Sequence, residues 1–287
     1  MPIDLVLQPH TKDLGGGFIV RRLLPAAQRQ GVGPFLFFDH FGPVTVQPAD
    51  NFDVRPHPHI GLATVSYLFD GAMVHRDSLG RVQRIEPGAI NWMTAGRGIV
   101  HSERRPDDLR EQSYPLHGLQ LWAALPQAAE ETEPAFAHTP AAQIPQVDLP
   151  GATVQVLIGE AFAARSPVQT FSPTLYLDIA LQPDATLTLA AADAERAVYS
   201  VDRALRIDGV PVEPRTLALL APGAAAEVMA PQGARCVVIG GAPLDGHRFL
   251  NWNFVSSRKE RIAQAREDWA AQRMGSVPGE ADWIPLP

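Results

Sequence analysis

Apolar and polar residues alternate along most of the chain in short runs broken by Gly or Pro, a rhythm that predicts β-strands rather than helices. Leu62 to Leu68 mixes β-branched, aromatic and leucine residues before Asp70-Gly71, a dipeptide suited to a tight hairpin turn. Ala72 to His75, Val82 to Ile85 and Ala89 to Met93 continue the rhythm, separated by Ser78-Leu79-Gly80 and Glu86-Pro87-Gly88. After Ala95-Gly96-Arg97-Gly98 a further strand is predicted from Ile99 to Glu103. A segment rich in Pro, Ala and Glu between Pro126 and Pro150 reads as a connection between domains. Beyond it a second β series runs through Thr153 to Ile158, Thr174 to Leu181, Thr186 to Ala190 and Ala197 to Val201. There Asp208-Gly209 marks another hairpin, and Ala221-Pro222-Gly223 echoes Glu86-Pro87-Gly88. The pattern therefore predicts an all-β chain with two copies of one sandwich or small-barrel architecture, divided into residues 1–135 and 136–287. One helix is predicted near the C-terminal side: Ser257 and Glu260 have capping-box spacing, Ile262, Ala265 and Trp269 fall on one face, and Gly275 can stop it.

Composition narrows the picture. A chain of 287 residues is long enough for two domains, each with its own core. A formal net charge of -7 argues against direct nucleic-acid binding, which needs a basic surface to displace counterions. No apolar run approaches the roughly 20 residues of a membrane helix. Cys236 is the single cysteine, which excludes an intrachain disulfide and a thiolate cluster and fits a reducing cytoplasm.

The candidate chemistry lies in two short motifs. His57-Pro58-His59 and His101-Ser102-Glu103 each place two ligand-type side chains at i and i+2, which share one face of a strand. Folded against each other, they offer three imidazoles and a carboxylate. That set suits one first-row divalent metal, whether iron, manganese, cobalt, nickel, copper or zinc, and is too nitrogen-rich for calcium or magnesium. Of the nine histidines, His10, His138 and His247 read most simply as surface residues, whereas His40, His75 and His117 lie near the motifs and could orient ligands, a structural role being the simpler reading. Arg97 reads as a loop anchor, and Phe52, Trp92 and Met93 as candidates to wall an apolar pocket.

The residues now have a family resemblance. His57-Pro58-His59-Ile60-Gly61, Trp92-Met93-Thr94-Ala95-Gly96-Arg97-Gly98 and His101-Ser102-Glu103 resemble the pirin family of the cupin superfamily, as do Phe38-Asp39-His40-Phe41-Gly42-Pro43, Gly118-Leu119-Gln120-Leu121-Trp122 and Trp252-Asn253-Phe254. The resemblance implies a bicupin: two antiparallel β-barrels of jelly-roll type with a C-terminal helix, one metal, usually Fe(II), sitting in the amino-terminal barrel. By motif position its ligands are His57, His59, His101 and Glu103. It also implies quercetin 2,3-dioxygenase activity in several members and a role as a transcriptional cofactor in animal ones.

Three neutral imidazoles and one carboxylate leave a bound divalent ion with a net charge of about +1, and six-coordination leaves two positions for outside molecules. A planar phenolic substrate such as a flavonol, together with O2, is the expectation, with Glu103 as general base as well as ligand. Two other readings remain open. One is a metal- or redox-sensing regulator that binds a protein partner, and the other a metal-stabilised binding module without turnover; a closed tetrahedral zinc site would forbid the oxygen chemistry. A bicupin pairs two barrels within one chain, so a monomer is expected.

Overall fold

The computed structural model describes residues 3–192 and 194–287. Strands dominate, and a single α-helix, Lys259–Ala270, is present among the described residues. The chain divides into two compact units whose segments interleave. One, the histidine unit, is built from residues 11–21, 38–141 and 244–287; the other, the aliphatic unit, takes the described residues of 3–10, 22–37 and 142–243. The chain passes between the units at 141/142, the strand Ile3–Leu7 pairs antiparallel with Leu217–Leu220, and residues 244–287 join the histidine unit.

Both sets of strands follow one plan. A four-stranded sheet of the histidine unit runs in the order Val54–His59, Ile99–Arg104, Met73–Asp77, Val82–Ile85. The seven-stranded sheet facing it begins with Ala135–Thr139, Ile90–Thr94, Leu62–Asp70 and Tyr114–Ala124, continues through Phe35–Val46 and Ile19–Leu24, and ends at His10–Asp13. In the aliphatic unit a seven-stranded sheet runs from Ile3–Leu7 to Gln146–Leu149, and a four-stranded sheet is ordered Ala185–Leu189, Ala226–Ala230, Leu205–Ile207, Val210–Val212.

The expected barrels are not formed: every sheet is open, with two edge strands that do not pair with each other among the described residues. The corner at Asp70-Gly71 shows the reason. The sequence predicted a hairpin there, yet Leu62–Asp70 pairs with Tyr114–Ala124 and Ile90–Thr94, whereas Met73–Asp77 pairs with Ile99–Arg104 and Val82–Ile85. The turn passes the chain from one sheet to the other, so the hydrogen-bond ladder stops instead of closing, and the result is a cupin-like two-sheet sandwich. Gly71 is required at this corner: its φ is +86°, and a Cβ would stand 2.1 Å from the Pro115 carbonyl oxygen. Asp208-Gly209, by contrast, makes the predicted hairpin, joining Leu205–Ile207 to Val210–Val212.

The space between the sheets separates the two units chemically. In the aliphatic unit it is lined by a cluster of Val154, Val156, Leu177, Ile179, Leu187, Val198, Ile207, Val228 and Val238. In the histidine unit one end is apolar, with Phe18, Val20, Phe41, Leu68, Tyr114 and Leu116 packed together. The other end holds His57, His59, His75 and His101, all buried.

The helix closes the outer face of the histidine sheet. Ile262, Ala265 and Trp269, the predicted face, pack with Ile60, Val100 and Phe254. The predicted capping box does not form, because the Ser257 hydroxyl donates to Glu130 and Arg258 occupies the N-cap without a side-chain bond. The helix also ends at Ala270, before Gly275, and the turn is completed by Gln272 at φ +55°. Residues beyond it return to the same sheet: the Ile284 N–H donates to the Pro56 carbonyl and the Ser102 hydroxyl to Glu280.

Candidate metal centre

Register brings the two motifs together. Val54–His59 and Ile99–Arg104 pair antiparallel with His57 opposite His101 and His59 opposite Ile99, so the three imidazoles share the inner face. One ring nitrogen from each of His57, His59 and His101 lies within 4.8 Å of the others. Pro58 and Val100, opposite each other on the alternate positions, face the other way, where Val100 packs under the helix.

The tautomer of each ring follows from its hydrogen bonds. His57 Nδ1 lies 2.8 Å from the Arg55 carbonyl oxygen and His59 Nδ1 lies 3.2 Å from that of Asn253. A carbonyl only accepts, so both Nδ1 atoms carry the proton and both Nε2 atoms offer a lone pair. His101 is set by a longer relay. His75 Nε2 donates to Asp77 Oδ2 at 2.9 Å, which leaves the His75 Nδ1 lone pair to accept from His101 Nδ1 at 3.4 Å. Asp77 is itself held by the N–H groups of Leu79 and Arg81, at 2.9 and 3.0 Å on Oδ1. His101 Nε2 is then a buried lone pair with no partner among the described residues. An orphaned acceptor beside two others is what a metal ion satisfies, so the donor set fits one divalent cation.

Electrostatics agree with this assignment. Burial pulls the His57 imidazole down to about 4, partly opposed by its bond to the Arg55 carbonyl. Burial, followed by repulsion from neighbouring rings, holds His59 and His101 well below the usual range. All three rings are therefore neutral at pH 7, as metal ligation demands.

Glu103 lies on the inner face two residues beyond His101, but its carboxyl is not in the 4.8 Å group. A register shift between His101 and Glu103 sets Glu103 opposite Val54. It lines a cavity of about 20 Å³ with Phe52, Val54, Met73 and Tyr114. Desolvation there pushes the carboxyl up to about 7.

Of the other sequence candidates, His75 joins the relay, whereas His40 and His117 bond to each other through Nε2 atoms 2.7 Å apart. Phe52 stacks on Phe18 at the edge of the small cavity. Trp92 and Met93 are successive strand residues and so face opposite ways. Arg97 is exposed and paired with Glu133. Trp122 and His59 pack edge to face with ring centroids 5.0 Å apart, and Phe136 stacks on His75 with centroids 4.2 Å apart. Asp77 and the Asn253 carbonyl escaped sequence reasoning. Asp77 carried a usable signal, since His75-Arg76-Asp77 has the same i, i+2 spacing as the ligand pairs.

Comparison with known proteins is decisive. The Pirin family model matches residues 17–123, and the Pirin C-terminal cupin domain model matches residues 176–275. The chain belongs to the pirin family. A pirin-like protein of Caulobacter vibrioides is 44% identical over 290 residues, covering 99% of each chain. Human pirin is 34% identical over 281 residues, covering 95% of this chain and 93% of its own. The crystal structure of a quercetin 2,3-dioxygenase from Acinetobacter baumannii superposes with a TM-score of 0.92 at 33% identity, covering 99% of this chain and 94% of that one. Among the described residues no helix is long and apolar enough to cross a membrane.

The buried rings make the metal-free protein sensitive to acid. A histidine whose folded pKa is depressed stabilises the fold above its unfolded value of 6.5 and loses that contribution as pH falls toward the folded value, here about 4 for His57. Glu103 works in the opposite sense, since its protonated form is the one the fold prefers between 4.5 and about 7. Three rings against one carboxyl decide the sign. Urea unfolding of metal-free protein will show lower stability at pH 5 than at pH 7, with His57 alone contributing about 2 kcal/mol of the loss. Equal stability at the two pH values would mean that the rings are not buried as neutral species.

Proposed function

We propose that this pirin is a metal-dependent dioxygenase that cleaves quercetin or a related flavonol or enol with O2. His57, His59, His101 and Glu103 hold the metal, taken as Fe(II), and Glu103 is also the general base. The observation that carries the reading is the convergence of three neutral imidazoles, with His101 Nε2 buried and unpartnered among the described residues, in a chain so similar to a quercetin 2,3-dioxygenase. The donor set also accepts manganese, cobalt, nickel, copper or zinc. The metal function is assigned to the 1–135 domain, while 136–287 supplies a metal-free partner. The lone buried Cys236 suits work in the cytoplasm.

When bound, the metal supplies Lewis acidity toward a phenol or enol oxygen. The chain's own residues supply the rest. Glu103 is the carboxylate placed to accept the substrate hydroxyl proton. The Arg55 and Asn253 carbonyls and the Asp77–His75 pair fix the ring orientations. Trp122 and Phe136 wall the rings and exclude water.

Iron-loaded protein given quercetin will take up oxygen and release carbon monoxide. Glu103→Gln will slow the uptake about 100-fold or more, the scale of a lost general base. Uptake by this variant at the parental rate would remove Glu103 from its role, and no uptake by the parent would end the dioxygenase reading. One observation favours a second reading: about 20 Å³ beside Glu103 admits roughly one water and no flavonol. A closed site of this kind suits a redox-sensing regulator, which would capture a protein partner in one iron oxidation state only.

A further inference from the structure

The aliphatic unit holds a cavity of about 1040 Å³, and one of the charged side chains that line it, Arg196, is buried. Arg196 lies on Glu195–Ser200, two residues from Val198, so both point into the space between the sheets. Val198 packs in the aliphatic cluster there, whereas Arg196 is 6% exposed and lines the cavity with Leu175, Leu177, Leu189, Val238 and Phe171. Its two terminal nitrogens donate to the Ala190 and Ala224 carbonyls, while its Nε–H has no partner among the described residues. Carbonyl oxygens satisfy hydrogen bonds but do not neutralise a cation. The adjacent Glu195 is committed elsewhere, accepting from Arg29 and from the Gly33 N–H, and Glu160 at the rim is paired with Arg165. A guanidinium in an apolar interior without a counter-charge among the described residues is costly, and burial pulls its pKa below the usual range.

We propose that this cavity is a second binding site, for a small monocarboxylate with an apolar body, whose carboxylate accepts from Arg196. One unused N–H and one positive charge left uncompensated among the described residues match a monoanion, and the leucine, valine and phenylalanine walls match a hydrocarbon chain or ring. The site is independent of the metal centre, and the dioxygenase reading can fail without it.

Calorimetry on the intact metal-loaded protein with octanoate, and with neutral octanamide as control, tests the proposal. Octanoate will bind, octanamide will bind at least about tenfold more weakly, and the 15N resonance of Arg196 Nε will shift with octanoate alone. Arg196→Met will weaken octanoate at least about tenfold and leave octanamide unchanged. Should that variant fail to fold, Leu175→Trp fills the cavity without touching the guanidinium and will abolish octanoate binding. Absence of octanoate binding at millimolar concentration overturns the proposal. So does octanoate binding that Leu175→Trp leaves intact, or that a folded Arg196→Met leaves intact. In either case Arg196 serves only to tie the Ala190 and Ala224 loops together.

Discussion

Replacing His101 with alanine will give a folded protein that retains less than about one-tenth of the parental iron and shows no quercetin-dependent oxygen uptake. His101 supplies one of three converging nitrogens, and its Nε2 is the buried lone pair left unsatisfied. Two remaining imidazoles cannot make up that loss. The graded companion is Asp77→Asn, which removes the acceptor that fixes His75 and, through it, His101. Loss of such an outer partner weakens metal affinity by about 10- to 100-fold without removing a ligand. Elemental analysis after dialysis against a chelator reads both variants. Parental metal content in His101→Ala would place the cation elsewhere.

Glu130→Ala will destabilise the histidine unit by about 3 to 5 kcal/mol, the range expected when one partner of a buried ion pair is removed. Arg248 is fully buried, with Nε 2.8 Å from Glu130 Oε1 and a donor on the Leu125 carbonyl. Glu130 also accepts from the Ser256 and Ser257 hydroxyls and from the Ser257 N–H. Truncation therefore leaves the buried guanidinium with only the half-exposed Asp245 as carboxylate partner and takes the acceptor from two hydroxyls at once. The effect reaches the metal centre, because the segment held by Glu130 adjoins Asn253, whose carbonyl orients His59. Urea unfolding followed by tryptophan emission measures the loss, with a shift in midpoint and an unchanged slope expected. A change under about 1 kcal/mol would show that the pair is solvated.

Strands and ligand pairs were legible because both depend on spacing of two residues, a property of the local chain. The His57 and His101 motifs could be read as sharing a site, since each pair faces one way and hairpin signals lie between them. Sheet membership was not legible: Asp70-Gly71 and Asp208-Gly209 carry equally good turn chemistry, yet one turns a corner between sheets and the other closes a hairpin. The choice depends on which distant strand offers a ladder, and on close approaches such as Gly71 to Pro115. Ser257 teaches the same lesson. Its capping-box spacing was real, but a buried Glu130 outcompeted the helix for its hydroxyl. The histidine relay was half legible, since His75 was noticed as a neighbour while Asp77, the group that gives it direction, was not.

The interleaved make-up of the two units sets an order of assembly during synthesis. Every segment of the aliphatic unit has been translated once residue 243 has been made, whereas the histidine sheet still awaits the helix over its outer face and the Asn253 carbonyl that aims His59. A nascent chain stalled near residue 243 thus carries all three imidazoles without the carbonyl that orients His59. The orientation of the His59 ring is completed by a segment made after the aliphatic unit.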